Sequence, residues 1–190
     1  MFPSANSDLN ISEDVRRCLW SLHVFRFWEQ LAEGKIAAGK PLCDILYHRS
    51  TEGRSSDYEL NFGMWEKHGD NAWHGGVATI ECCPGSEVWG VIWTLSNEDL
   101  TSLDNQEGVN LGLYTPLEVS VETDKGLMLC RTYQMNNFHA CRPSPQYKQV
   151  VCLGAEQNGL PAEYLKRLEV IQTNSYSGPS VLDRIRTVTK

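Results

Sequence analysis

The sequence has no excess of basic residues and no long apolar run. Its 17 Lys and Arg residues stand against 24 Asp and Glu residues, which gives a formal net charge of -7. This balance argues against a nucleic acid or a membrane surface as partner, because both attract basic proteins. No apolar run is long enough to cross a bilayer. His23 and Arg26 interrupt the most apolar stretch near the N-terminus, so a signal peptide is not expected either.

The sequence also lacks any C-x-x-C pair. Its seven cysteines are odd in number and widely scattered, which argues against a zinc site and against a disulfide framework. We therefore predict no metal site and a reducing compartment, the cytosol. The adjacent Cys82 and Cys83 could form a redox pair, but neighbouring cysteines rarely close a relaxed disulfide, so they are not assigned to a site.

From about residue 72 onward, turn residues separate clear apolar patterns. The pattern predicts strands over 72–83 and 87–95 around a turn at Pro84-Gly85, and a hairpin of strands over 114–122 and 126–135. The strand over 87–95 has bulky residues on both faces. Such a strand is covered on both sides, as in a barrel wall flanked by helices.

Three helices are predicted in the same part of the chain. A short helix ends at Gly108, with Leu100 and Leu103 facing inward. Ser144 is predicted to cap a second helix that Pro145 opens, and a third follows Pro161.

The first 56 residues have a different pattern. Ser12 could cap a helix from Glu13 to Glu33, although its apolar residues leave little polar face. The stretches 33–42 and 48–57 are poor in apolar residues and are interpreted as linkers. The chain of 190 residues is therefore divided into a divergent N-terminal segment, residues 1–56, that is partly helical or disordered, and a domain at residues 57–190.

Glu107 lies in the last turn of the helix that ends at Gly108. The negative end of the helix dipole is there, so a carboxylate is mildly disfavoured at this position. One explanation is that the side chain simply points into solvent, which is the rule for charged residues. The other is that the protein needs a slightly more basic carboxylate at this place.

Six strings of the sequence occur in the order found in one enzyme family. They are DYELNFG, WHGGVATI, EVWGVIW, SLDNQEGV, PSPQYKQVVCLGA and QNGLP. Together they resemble the gamma-glutamylcyclotransferase family, from about Asp57 to about Gly178. The resemblance implies an α+β fold, a small mixed β-barrel with flanking helices, in a cytosolic enzyme of the gamma-glutamyl cycle that is usually a homodimer.

The family's reaction converts a gamma-glutamyl-amino acid to 5-oxoproline and a free amino acid. The resemblance implies that the substrate's own α-amine attacks its gamma-carbonyl, with no metal and no cofactor. Glu107 matches the family's general acid/base within SLDNQEGV. Tyr147, in PSPQY, matches a tyrosine near the bound gamma-glutamyl group, although a tyrosine at the edge of the core is an alternative. Tyr114 is a second pocket candidate, for which an ordinary strand aromatic is the preferred interpretation.

The family's N-terminal Tyr-Gly-Ser-Asn-Leu strand and loop is missing from this sequence. In the family, the N–H groups of that loop hold the glutamyl end of the substrate and the carbonyl oxygen as charge develops. The first strand of the barrel is therefore expected to be replaced or absent. Two functions follow: an active gamma-glutamylcyclotransferase, or an impaired or inactive relative that acts at most as a dimerising or binding protein.

Overall fold

The computed structural model describes residues 17–21, 48–65, 71–95 and 97–179. In chain order the elements are β1 (Arg17–Ser21), β2 (His48–Trp65), β3 (Val77–Leu95), α1 (Asn97–Gln106), a 3-10 turn (Val109–Leu111), β4 (Tyr114–Thr123), β5 (Gly126–Met135), β6 (Phe138–Ala140), α2 (Pro145–Gln157) and α3 (Ala162–Glu169). The predicted α+β class is confirmed.

The strands form one mixed sheet in the order β3-β1-β5-β4-β2-β6, and β3 also pairs with β2. The β2–β3 and β4–β5 pairs are antiparallel and long. In contrast, the β1–β5 contact is a single residue pair, and the β2–β4 contact is two pairs. Because these two seams have so few ladder contacts, the sheet is not closed into the continuous barrel that was predicted.

Strand β1 forms where the sequence pattern predicted a helix. Leu19 lies opposite Trp93 in the antiparallel pairing with β3, and opposite Arg131 in the parallel pairing with β5. The helix prediction is therefore wrong for Arg17–Ser21, because neighbouring strands on both sides satisfy its backbone in place of helical bonds. The rest of that predicted helix lies outside the described residues. The N-terminal segment thus contributes a strand to the sheet.

Strand β2 runs across the boundary that was predicted between residues 56 and 57. The stretch 48–57, interpreted as a linker, belongs to this strand and pairs with β3, so the linker interpretation is wrong. Two of its small residues are buried by a close approach of β4: a Cβ on Gly53 would lie 2.5 Å from Cγ1 of Val121, and Ser55 is buried. Low apolar content here reflects tight packing.

Strand β3 continues through Pro84-Gly85, where a turn between two strands was predicted. Both halves of β3 pair with β2, and the register shifts opposite Asp57. Asp57 and Gly85 both have positive φ, 64° and 82°, and the Gly85 N–H donates to Oδ1 of Asp57 at 2.9 Å. The predicted turn is therefore a bulge within one long strand.

A single buried cluster joins the sheet to the three helices described above. It includes Val91 and Ile92 of β3, Leu103 of α1, Val150 of α2 and Leu168 of α3. The inward position of Leu100 and Leu103 is confirmed, since both are buried. Packing of these apolar faces holds α1 and α2 against the sheet, and both helices contribute candidate site residues. None of the described helices is long and apolar enough to span a membrane.

Candidate active site

Glu107 follows α1 directly and is buried, with only 3% of its surface exposed. Its N–H donates to the carbonyl oxygen of Leu103 at 2.8 Å, which continues the helical bonding pattern by one residue. Of the two explanations for a glutamate at this place, solvent exposure is therefore wrong. A buried carboxyl group at the end of a helix is an arrangement that general acid/base catalysis can use.

Gly108 reverses the chain immediately after Glu107. Its φ is 66°, a conformation that strongly favours glycine, and an added Cβ would lie 2.7 Å from Cδ1 of Leu113. The Gly108 carbonyl accepts hydrogen bonds from the N–H groups of Leu111 and Leu113, both at 3.0 Å. Glu107 and Tyr114 therefore flank a hydrogen-bonded pair of residues, which brings the end of α1 beside the start of β4.

Tyr114 is the first residue of β4 and is buried. Its hydroxyl donates to the carbonyl oxygen of Ala78 at 3.3 Å. The ring meets Trp65 edge to face, with centroids 5.3 Å apart at 84°. Trp65 in turn donates its indole N–H to the Leu113 carbonyl at 2.7 Å. These contacts fix the ring of Tyr114 next to the turn that follows Glu107.

Tyr147 lies in the first turn of α2, which begins as predicted. The Ser144 hydroxyl accepts the Tyr147 N–H at 3.2 Å, and Pro145 occupies the first helical position. The Tyr147 hydroxyl accepts the Ala78 N–H at 3.1 Å. Its ring packs against Trp73, with centroids 5.1 Å apart.

The two candidate tyrosines therefore meet at one residue of β3. Tyr147 binds the N–H of Ala78, and Tyr114 binds its carbonyl. Glu107 is connected to this pair through the turn from Gly108 to Leu113. Ala78 thus connects the two tyrosines, and the turn from Gly108 to Leu113 connects Glu107 to Tyr114.

One polar cluster beside Glu107 was not predicted from the sequence. Nη2 of Arg131 donates to both carboxylate oxygens of Asp104, at 2.6 and 2.7 Å, and the Tyr133 hydroxyl donates to Oδ1 at 2.6 Å. We call these three residues the Asp104 cluster. Two spacings could have indicated it: Asp104 precedes Glu107 by three positions on α1, and Arg131 and Tyr133 alternate on one face of β5.

Burial raises the pKa of the Tyr133 hydroxyl, and its hydrogen bond to Asp104 raises this pKa further. Tyr133 therefore keeps its proton throughout the working range of an enzyme and acts as a donor. The guanidinium of Arg131 lies 5.6 Å from the centre of the Tyr133 ring, a cation–π distance.

His74, the histidine of the WHGGVATI string, makes contacts that suit a structural role. Its ring stacks on Tyr176 with centroids 4.1 Å apart, and its carbonyl accepts the side-chain amide of Asn174 at 2.7 Å. Cys82 and Cys83 are free thiols. Within the described ranges, no group of three or more His, Cys, Asp or Glu residues is arranged to hold a metal ion. A reaction without metal or cofactor stays a prediction.

Comparison with known proteins identifies the family. A model described as the AIG2-like family matches residues 87–168. The gamma-glutamylcyclotransferase of Bos taurus is 49% identical over 138 residues, which are 72% of this chain and 73% of the relative. The enzyme of the same name from Homo sapiens is 46% identical over the same length and the same shares.

A solved structure named gamma-glutamyl cyclotransferase superposes with a TM-score of 0.74. It is 35% identical, and the match covers 92% of this chain and 98% of that one. Sequence identity and fold therefore agree with the resemblance found in the motif strings. The chain belongs to the gamma-glutamylcyclotransferase family.

Proposed function

We propose that this chain converts a gamma-glutamyl-amino acid to 5-oxoproline and a free amino acid, with Glu107 as general acid/base. Family membership supports the reaction. The observation that supports the residue is the burial of the Glu107 side chain at the end of α1. A glutamate with no function at the end of a helix would be expected at the surface, with its carboxyl group in solvent.

The proposed substrate contains its own nucleophile. The α-amine attacks the gamma-carbonyl carbon, a new C–N bond closes the lactam ring, and the bond to the departing amino acid breaks. The α-amine arrives as an ammonium group, so a base must first remove one proton. The departing amine must later receive one. A single carboxylate can perform both transfers in turn, which is why one acid/base residue suffices for this reaction.

The backbone around Glu107 is held in place, which fixes the point from which its side chain extends. Its N–H is bound to Leu103, and the chain leaves it through the constrained turn at Gly108. General acid/base catalysis requires the carboxylate within hydrogen-bond reach of the amine. A fixed arm also avoids reorganisation during the reaction.

We assign the two tyrosines to substrate binding. The bond to Ala78 fixes the position of the Tyr147 hydroxyl, and a phenol can bind a carboxylate or carbonyl oxygen of a gamma-glutamyl group. Tyr114 shapes the pocket through its ring, because its own hydroxyl is directed at the Ala78 carbonyl.

The assay uses the purified full chain with gamma-glutamyl-alanine and measures the release of 5-oxoproline and alanine. Equal amounts of the two products are expected, and a chelator should not change the rate. The matched control is the same substrate acetylated on its α-amine, which cannot cyclise. Release of alanine from the acetylated substrate would indicate hydrolysis and would contradict the proposed reaction.

The second candidate function is an impaired or inactive relative that binds or dimerises. The missing Tyr-Gly-Ser-Asn-Leu string favours it, because the loss of even one oxyanion donor typically costs about 10²–10³-fold in rate. A folded chain that binds gamma-glutamyl-alanine without releasing 5-oxoproline would support this alternative.

We further propose a homodimer that works in the cytosol on gamma-glutamyl compounds of glutathione metabolism. The family resemblance and the cysteine usage support these points. Sedimentation equilibrium of the full chain tests the assembly: a mass of one chain at all concentrations would contradict the dimer.

A further inference from the structure

We infer that Asp104 is a positioning residue for Glu107, because the Asp104 cluster fixes the last part of α1 on strand β5. The inference deepens the proposed function and rests on it for its kinetic test. It assigns no contact with substrate to Asp104. Its support is the geometry that connects a helix residue, Asp104, to two strand residues, Arg131 and Tyr133.

The Asp104 carboxylate is held in a defined orientation. Arg131 contacts both of its oxygens, and Tyr133 contacts one of them, all within 2.7 Å. Hydrogen bonds to charged groups are the shorter and stronger kind, and several on one carboxylate restrict its direction. Asp104 is therefore attached to β5 in one geometry.

Helix α1 needs such an attachment because it is short. It has ten residues, and helices of this length are marginal without tertiary contacts. Leu100 and Leu103 supply apolar burial, but apolar contacts are non-directional and tolerate small shifts. The bonds of Asp104 are directional and set the rotation and the axial position of the helix.

Glu107 follows Asp104 by three residues, so the two positions are neighbours along the helix surface. The Leu103–Glu107 hydrogen bond spans Asp104. A change in the Asp104 cluster is therefore transmitted over less than one turn of helix. Misplacement of a reacting group by about 1 Å can cost roughly 10²-fold in rate.

The Tyr133 hydroxyl remains a donor to Asp104 throughout the working range of an enzyme. Burial raises its pKa, and the hydrogen bond to Asp104 raises this pKa further.

The first test compares Asp104→Asn with Glu122→Gln. Glu122 makes a similar pair, with Nε and Nη2 of Arg54 at 2.9 and 2.6 Å, but it joins β2 to β4 and does not touch α1. Well below the melting temperature, Asp104→Asn should lower kcat for gamma-glutamyl-alanine by about 10–100-fold with KM nearly unchanged. Glu122→Gln should leave both constants unchanged. Equal kcat values for Asp104→Asn and the parent would overturn the inference.

Tyr133→Phe is the milder variant for the case that Asp104→Asn does not fold. It removes one of the three hydrogen bonds of the cluster and keeps the Arg131 pair. Its kcat should lie between those of the parent and Asp104→Asn. If Asp104→Asn does not fold, a Tyr133→Phe enzyme whose kcat equals that of the parent would overturn the inference.

The second test does not depend on activity. Hydrogen exchange at the Glu107 amide reports the bond to Leu103. Exchange there should be at least about 10-fold faster in Asp104→Asn than in the parent, and unchanged in Glu122→Gln, because only the first variant loosens the helix end. If the parent releases no 5-oxoproline, the proposed function fails while this exchange result still decides the inference. Unchanged exchange in Asp104→Asn would refute it.

Discussion

The Tyr147 hydroxyl accepts a hydrogen bond from the Ala78 amide at 3.1 Å, in the buried seam between α2 and β3. Ala78 lies near the start of β3, and Tyr147 lies in the first turn of α2. The bond thus fixes the helix N-terminus on the sheet and holds a candidate binding hydroxyl at the same time. Tyr147 therefore stabilises the fold, in addition to the substrate-binding role proposed for it above.

Tyr147→Phe should reduce both properties. The substitution keeps the ring and removes the acceptor of a buried N–H, so the free energy of unfolding should fall by about 1–2 kcal/mol. KM for gamma-glutamyl-alanine should rise, with little change in kcat, because the role proposed for Tyr147 is to bind substrate and not to transfer a proton. Urea denaturation and steady-state kinetics measure the two effects.

Tyr114→Phe is the matched variant at the other side of Ala78. Its hydroxyl bond is 3.3 Å long, beyond the usual O–H···O range, so its loss should cost less than about 1 kcal/mol. If Tyr114→Phe were the more destabilising of the two, the hydroxyl of Tyr114 would have a larger role than this geometry indicates.

Gly108→Ala should destabilise the protein and slow the reaction. Glycine is needed here because φ is positive and because a Cβ would meet Leu113 at 2.7 Å. Gly112→Ala is the control: its φ is also positive, 70°, but an added Cβ meets nothing within 4 Å. Gly112→Ala should therefore cost about 1–2 kcal/mol for the backbone conformation alone, and Gly108→Ala clearly more.

The kinetic comparison of these two glycine variants is equally informative. Both residues lie in the turn from Gly108 to Leu113, but only Gly108 adjoins Glu107 and only its added Cβ would meet Leu113, so only Gly108→Ala should lower kcat. Equal losses of stability in both variants, or a lower kcat in Gly112→Ala alone, would show that the Gly108–Leu113 contact does not hold the site.

Glu87 should stabilise the protein at neutral pH and lose this effect in acid. Burial opposes its ionisation, but hydrogen bonds from Arg54, Trp89 and Arg167 outweigh burial and lower the pKa of Glu87 below its ordinary value of 4.5. Because the pKa of Glu87 is lower in the folded protein than in the unfolded chain, its ionisation stabilises the fold at pH values above the unfolded pKa. This stabilisation is lost as the pH falls through the folded pKa. Glu87→Gln should therefore lower the free energy of unfolding at neutral pH, and this difference from the parent should narrow below pH 4.5.

The same substitution at Glu81 should have the opposite effect on stability. Burial raises its pKa above 4.5, against the hydrogen bonds from Thr79 and Gln134, while the charge of Glu59 raises it further. Ionised Glu81 therefore destabilises the fold above its folded pKa. Glu81→Gln should raise the free energy of unfolding at neutral pH and lose this gain in acid. Denaturation at a series of pH values checks both glutamates, and a destabilised Glu81→Gln at neutral pH would contradict the account.

The parts of the fold that local chemistry determines could be predicted from the sequence. Ser144 and Pro145 define a helix start through their own side chains, and Gly108 defines a helix end through its backbone freedom. The candidate position of Glu107 followed from that end, together with the motif resemblance. These signals are contained within a few residues, so no knowledge of distant contacts is required.

The errors occurred where distant pairing decides the structure. Residues Arg17–Ser21 form a strand because β3 and β5 lie beside them, although their local pattern suits a helix. Gly53 and Ser55 belong to β2 because β4 approaches closely, and composition alone suggested a linker. Long-range packing routinely overrides local propensity in this way.

The Asp104 cluster was missed for a related reason. Asp104 and Arg131 are 27 residues apart in the chain, and the spacings around each residue do not show which partner it contacts. A charged residue on a short helix is ordinarily solvated. The contact becomes visible only when α1 is placed on the face of β5 that holds Arg131 and Tyr133.

Glu107 is central to the account, and its test needs a control glutamate. Glu156 is suitable because it too lies in the last turn of a helix, α2, but it is exposed. Glutamine is nearly isosteric with glutamate and cannot accept a proton at neutral pH. The two variants therefore separate a buried proton-transfer group from a charge at a helix end.

The most direct measurement is kcat for 5-oxoproline release from gamma-glutamyl-alanine by the parent, Glu107→Gln and Glu156→Gln. Glu107→Gln should be slower by about 10²–10⁴-fold, the range for a lost general base, while its fold stays intact. Glu156→Gln should match the parent. A Glu107→Gln enzyme as fast as the parent would contradict the assignment of this carboxylate to the reaction.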